Sequence, residues 1–131
     1  MRKPTFVDPL LSRSRVPHSL VNLERGTVVV GRVEAAFDSE ARRRGLLGRD
    51  GMPDDEALII APCNGVHTFF MRFAIDALFV AKDGRVVKAC RGVRPWRIAL
   101  AWRAFAVIEG APGLVERSGT RCGDRVALRE A

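Results

Sequence analysis

The chain has 131 residues and a mass of 14.4 kDa, which suits one domain with one core. Hydrophobic residues make up 47% and charged residues 28%, a balance that excludes a disordered or fibrous chain. The formal net charge is +7, and no apolar run approaches the roughly 20 residues of a membrane-spanning helix, so no membrane partner is expected.

Residues 1–22 mix Pro, Ser and Arg without a hydrophobic period, and they are expected to form a loose arm, with a short strand near its end, ahead of a single β-rich domain over 23–131. Pro4, Asp8 and Pro9 interrupt any signal-peptide core, which points to the cytoplasm. Thr27–Val30 is a β-branched run that predicts a strand continuing through 31–33. Asp38 or Ser39 can cap a helix reaching Leu47, with Glu40 in the first turn where the helix dipole favours a carboxylate. Residues 50–55 have turn composition. A strand is expected over 57–61, then a tight hairpin connection at Cys63-Asn64-Gly65 into a β-rich stretch over 66–70. Residues 77–81 are apolar on both faces, as in a central strand. Lys82-Asp83-Gly84-Arg85 is the clearest hairpin turn, and 85–89 returns from it. Residues 91–101 read as irregular around Pro95. A strand over 103–109, one or two helical turns over 112–118 and a last strand over 125–128 complete the chain. About seven strands and one or two short helices predict a mainly-β (α+β) fold, an antiparallel barrel or sandwich.

The charge is unevenly placed. Residues 1–65 carry 10 basic and 9 acidic side chains, and residues 66–131 carry 12 and 6. The stretch 82–103 holds seven cations against Asp83 alone. Within it Arg91, Arg94 and Arg97 surround Trp96. Arginine pairs with phosphate and Trp stacks on bases, so these four residues are candidates for weak, nonspecific nucleic-acid contact. A period of three alternates faces on a strand, so a single patch does not follow from the spacing.

The three cysteines, Cys63, Cys90 and Cys122, form no CxxC pair and are expected to be free thiols. Cys63, His67 and Met71 are soft donors spaced four apart. On a strand that spacing separates the end residues by about 13 Å, too far for one ion, so no metal is expected, and no cofactor. The same strand reading places His67, Phe69 and Met71 on a core face, with the imidazole hydrogen-bonded. Asp76 sits among apolar residues, where a carboxylate needs a partner such as Arg72 or a backbone turn. The alternative is a pocket where His67, Asp76 and Glu109 converge; Glu109 otherwise reads as a solvated charge at a strand end. No nucleophile elbow, P-loop or zinc-protease motif is present, and no catalytic residue is assigned.

Several motifs fall in an order that resembles domain-of-unknown-function family 192. They begin with Ser39-Glu40-Ala41-Arg42-Arg43-Arg44-Gly45-Leu46-Leu47-Gly48-Arg49 and His67-Thr68-Phe69-Phe70-Met71. Ile75-Asp76-Ala77-Leu78-Phe79 and Asp83-Gly84-Arg85-Val86-Val87 follow. Val107-Ile108-Glu109-Gly110-Ala111-Pro112-Gly113 and Gly123-Asp124-Arg125-Val126 close the series. The resemblance spans about 27–128 and implies a compact, mainly-β domain with no assigned activity. Many members carry Trp-Met-Lys-Asn-Thr where this chain has Phe70-Met71-Arg72-Phe73, so a role of that Asn-Thr pair is not carried over. The expected function is a non-catalytic module that binds a small ligand or a protein partner through a cleft near His67, Met71 and Asp76, with Glu109 beside it. The alternative is a basic nucleic-acid-associated module using residues 82–103.

Overall fold

The computed structural model describes residues 2–11 and 16–131. Strands β1 (His18–Asn22), β2 (Thr27–Val30) and β10 (Val126–Glu130) form a three-stranded antiparallel sheet in the order β10-β1-β2. Strands β3 (Arg32–Ala36), β4 (Glu56–Ile60), β6 (Ile75–Val80), β7 (Val86–Val93) and β9 (Ala106–Gly110) form a five-stranded sheet in the order β3-β4-β9-β6-β7. Strands β5 (Gly65–His67) and β8 (Ile98–Leu100) pair as a separate ribbon. Helices α1 (Ser39–Arg44) and α2 (Leu114–Ser118) are short. The fold is mainly β, as expected, and its sheets pack as a sandwich without closing into a barrel. Among the described residues no helix is long and apolar enough to cross a membrane.

The two-residue period of a strand explains why the five-stranded sheet is central. Ala57, Ile59, Leu78, Val80 and Ile108 turn to one face, where Leu20, Val30, Leu114 and Val126 from the small sheet and α2 close the first core. Leu58, Ile60, Ala77, Phe79 and Val107 turn to the other face, covered by Leu46, Val66 and Met71. The register places Glu109 opposite Leu58 and Ala77, and Asp76 opposite Gly110. Asp76 therefore belongs to the first face and Glu109 to the second, so the sheet itself lies between them.

Several expected elements sit where the sequence places them. The Asp83-Gly84 turn joins β6 to β7, and Gly84 has φ 91°, with the Val126 carbonyl where a Cβ would stand. Asp38 caps α1 by accepting from the Ala41 amide at 2.8 Å, and Gly45, with φ 49°, ends the helix before Leu47. Other expectations are corrected. The pairing is not all antiparallel: β3 and β4 run parallel, because α1 and the turns after it supply the long crossover that parallel strands need. Cys63-Asn64-Gly65 is no hairpin, since β3 and β9 already occupy both edges of β4, and the chain leaves for the ribbon instead.

The short strand expected near the end of 1–22 is present, but the described residues of that segment are packed rather than a loose arm. Met1 and residues 12–15 lie outside the description. Val7 is buried in the first core, and the Phe6 amide donates to the Lys82 carbonyl at 2.8 Å. Strand β1 is buried along its whole length as the middle strand of its sheet. Its polar ends concealed that central, buried position. Asn22 donates to Thr120 at 3.0 Å and to Asp124 at 3.1 Å, and accepts from the amides of Glu24 and Arg25. The hydrogen bond from Arg25 holds the Asp124 carboxyl down to about 2, so this cluster stabilises the fold above the ordinary carboxylate range and loses that effect only as pH falls toward 2.

Candidate functional site

A cleft of about 90 Å³ opens on the second face of the central sheet. Helix α1 and the turn after it form one lip through Arg42, Arg43, Arg44 and Leu46. The segment after β4 supplies Cys63, the ribbon supplies His67, and the following turn supplies Met71. Glu109, near the end of β9, lines the cleft as well. Three of the four ligand-binding candidates thus meet: His67, Met71 and Glu109. Asp76 does not, for the reason of register already given.

Glu109 is the unusual group. Its residue is 4% exposed, and no described residue donates a hydrogen bond to its carboxylate. Burial pushes its pKa from the ordinary 4.5 up to about 7, against a weaker pull from Arg49. The expectation of a solvated strand-end charge is overturned, because β9 is flanked by β4 and β6 rather than by water. Arg42 adds a buried nitrogen without a partner. One guanidinium nitrogen donates to the Pro62 carbonyl at 3.1 Å, while its Nε is buried without a partner. Cys63 donates its S–H to the Gly65 carbonyl at 3.0 Å, and burial pushes its thiol pKa up, which works against a reactive thiolate.

His67 is exposed rather than set in a core face, its ring 5.1 Å from that of Phe69. The strand ends at His67, and Phe70 takes φ 65°, so the alternation expected through Met71 breaks. Thr68 holds this turn. Its hydroxyl donates to the Arg94 carbonyl at 2.5 Å and accepts from the Arg97 amide at 2.9 Å. Among the described residues no three His, Cys, Asp or Glu side chains gather closely enough to hold a metal ion. The three cysteines are free.

The nucleic-acid candidates lie elsewhere. Arg91, Arg94, Trp96 and Arg97 are all exposed, on β7 and on the loop that leads into β8. Trp96 stacks on Phe69 at 5.9 Å and meets Phe70 edge-on at 4.7 Å. Sequence reasoning overlooked Arg42 and Thr68 as site or positioning residues, and it weighed Cys63 only as a metal or nucleophile candidate. An Arg within a run of three and a Thr between aromatics carry no local signal; only their convergence in space does.

Asp76 has a different task. Its Oδ1 accepts from the Gly92 amide at 2.8 Å, and its Oδ2 accepts from Gly113 at 3.1 Å and Val115 at 3.0 Å. Gly113 is the N-cap of α2 and has no side chain to cap it. Asp76 supplies the cap from β6. The backbone-turn partner expected from sequence is present, whereas Arg72 pairs with Asp50 at 2.6 Å.

Glu109 also predicts a pH effect. Below pH 4.5 the carboxyl is protonated whether the chain is folded or not. Between 4.5 and about 7 the folded chain keeps its proton while the unfolded chain loses it, so stability falls as pH rises through that window. Glu109→Gln should therefore raise stability by about 2–3 kcal/mol at pH 8 and change it little at pH 5. Urea midpoints at the two pH values check this; equal gains at both would show that the carboxyl is not the titrating group.

The family model DUF192, described as "Uncharacterized ACR", matches residues 21–128. A UPF0127 protein of Pyrococcus furiosus is 30% identical over 115 residues, covering 82% of this chain and 95% of its own length. One of Pyrococcus abyssi is 31% identical over 113 residues, with coverage of 82% and 94%. The crystal structure of a protein of unknown function from Novosphingobium aromaticivorans is similar with a TM-score of 0.72 and 26% identity, covering 84% of this chain and 82% of that one. A Sinorhizobium meliloti structure at 21% identity and a TM-score of 0.75, covering 98% of each chain, shares the fold.

Proposed function

The chain belongs to the DUF192 family, and we propose that its fold serves here as a non-catalytic domain binding a small carboxylate or inorganic oxyanion in the Glu109 cleft. One observation carries the proposal: the carboxyl of Glu109, a residue only 4% exposed, lines the cleft and accepts no hydrogen bond from any described residue. Burying such a group costs free energy that a structural role would offset with hydrogen bonds, as Asp76 does. Groups left unsatisfied in a concave site are the mark of a site that trades stability for binding.

The chemistry of the lining narrows the ligand. The cavity is far below the roughly 300–1,000 Å³ of a drug-sized pocket, so the ligand has few heavy atoms. Protonated, Glu109 can donate an O–H, and the Arg42 guanidinium lines the same cleft with its positive charge. Both seek an oxygen acceptor, and the arginines of α1 favour a negative one. The apolar side chains of Leu46 and Met71 give the remaining wall.

Acetate is a suitable probe. At about ten times its Kd it should raise stability by about 1.4 kcal/mol, or about 5 °C in Tm. The gain should be larger at pH 6 than at pH 8, because an ionised Glu109 repels the anion. Glu109→Gln keeps a donor and removes the charge, so it should flatten the pH dependence, and Arg42→Gln should abolish the gain. If acetate, formate and phosphate all fail to shift Tm beyond a chloride control at pH 6, the proposal is wrong.

A further inference from the structure

The β5–β8 ribbon turns large apolar side chains toward water. In its register Val66 faces Ala99, and His67 faces Ile98. Val66 is buried beneath the ribbon, so the pleat sends Ile98 and Leu100 outward, where they are 61% and 63% exposed. Trp96 and Trp102 continue the same alternation in sequence at either end, at 57% and 81% exposure. Phe70 lies against Trp96. An apolar set of this size on a small basic domain marks a contact surface.

Cations frame it. Lys88 donates to the Leu100 carbonyl at 2.8 Å, and Arg103 sits over the Trp102 ring at 5.7 Å. Arg94 and Arg97 flank Trp96, and Thr68 holds both of their carbonyls. Neither 57–75 nor 84–108, which supply the ribbon and its surroundings, contains an Asp or Glu. None of these four cations has an acidic partner among the described residues.

The occupant must therefore be anionic and must also accept aliphatic side chains. A second copy would bring like charges face to face. A nucleic-acid strand would stack on the tryptophans and leave Ile98 and Leu100 without a role. An anionic bilayer uses every group: Trp at the interface, Ile and Leu at the acyl boundary, Arg and Lys on the headgroup phosphates. We propose that the β5–β8 ribbon is a docking face for the surface of anionic phospholipid membranes. The expectation of no membrane partner rested on the lack of a spanning segment, which does not bear on a surface contact.

Trp96 and Trp102 are the only two tryptophans of the chain, so emission reads this face directly. The full chain should co-sediment with vesicles of about one-third phosphatidylglycerol at low ionic strength, with a blue-shifted emission that brominated acyl chains quench. Phosphatidylcholine vesicles should bind at least about tenfold more weakly. Ile98→Ser with Leu100→Ser should lose about tenfold or more in partitioning, together with the blue shift. Arg94→Gln with Arg97→Gln should lose about as much. All four side chains are exposed, so Tm should hold in both variants. No sedimentation with anionic vesicles would overturn the proposal. Sedimentation that survives the Ile98 and Leu100 changes without any emission shift would also overturn it, leaving plain electrostatic adsorption. Tighter binding of a single-stranded RNA than of vesicles would assign the face to nucleic acid instead.

Discussion

Removing residues 1–21 should leave a chain that does not fold cooperatively. The deletion takes all of β1 except Asn22, and β1 is the strand to which both β2 and β10 are bonded. It also takes Val7, Leu20 and Val21 from the core, with Phe6 and Leu10 packed beside them. At about 1.5–3 kcal/mol for each fully buried side chain, the apolar loss alone reaches roughly 5–9 kcal/mol. The ladder adds several hydrogen bonds at about 1 kcal/mol each. A domain's whole stability is about 5–15 kcal/mol, so little or nothing is left. Circular dichroism should show no cooperative thermal transition. A deletion of residues 1–11 is the control: it spares β1 and should cost only about 3–5 kcal/mol. A melting temperature within a few degrees of the full chain after the longer deletion would restore the loose-arm reading.

That error shows where local pattern stops being informative. Strand β1 reads His-Ser-Leu-Val-Asn, with polar residues at both ends and Pro17 before it. It is a central strand because Thr120, Asp124 and β10, about a hundred residues away, satisfy and cover it. No window of sequence contains those partners. In contrast, β6 was legible because it is buried on both faces, and the Asp83-Gly84 turn because the left-handed backbone there requires Gly. Site residues divide in the same way. Alternation along β6 and β9 fixes which face Asp76 and Glu109 take, but which residues share a face depends on register, and Asp76 falls opposite Gly110 rather than Glu109. The ribbon inverts the usual rule. Its period-two apolar pattern over 96–102 was present, yet the apolar side is the outer one, and hydrophobicity alone cannot tell core from contact surface.

Asp76→Asn should lower stability by about 2–4 kcal/mol and Tm by about 10 °C. The carboxylate is 1% exposed and accepts three backbone N–H groups, one from β7 and two from the first turn of α2. An Asn has one carbonyl oxygen. If it stays with Gly113 and Val115, its NH2 faces the Gly92 amide; if it stays with Gly92, α2 loses its cap. Either way a donor meets a donor in a buried place, which costs about 1–3 kcal/mol beyond the lost charged hydrogen bond. Asp76→Ala should cost more, since all three amides lose their acceptor, and Leu114 and Val115 then lose their anchoring in the first core. The loss should appear in the urea midpoint and leave acetate binding to the remaining folded protein unchanged, because the central sheet separates Asp76 from the Glu109 cleft. A midpoint that stays or rises would mean that those amides are satisfied without the carboxylate. Asp76 would then return to the list of ligand groups, and the two-face division of the sheet would no longer separate structure from function.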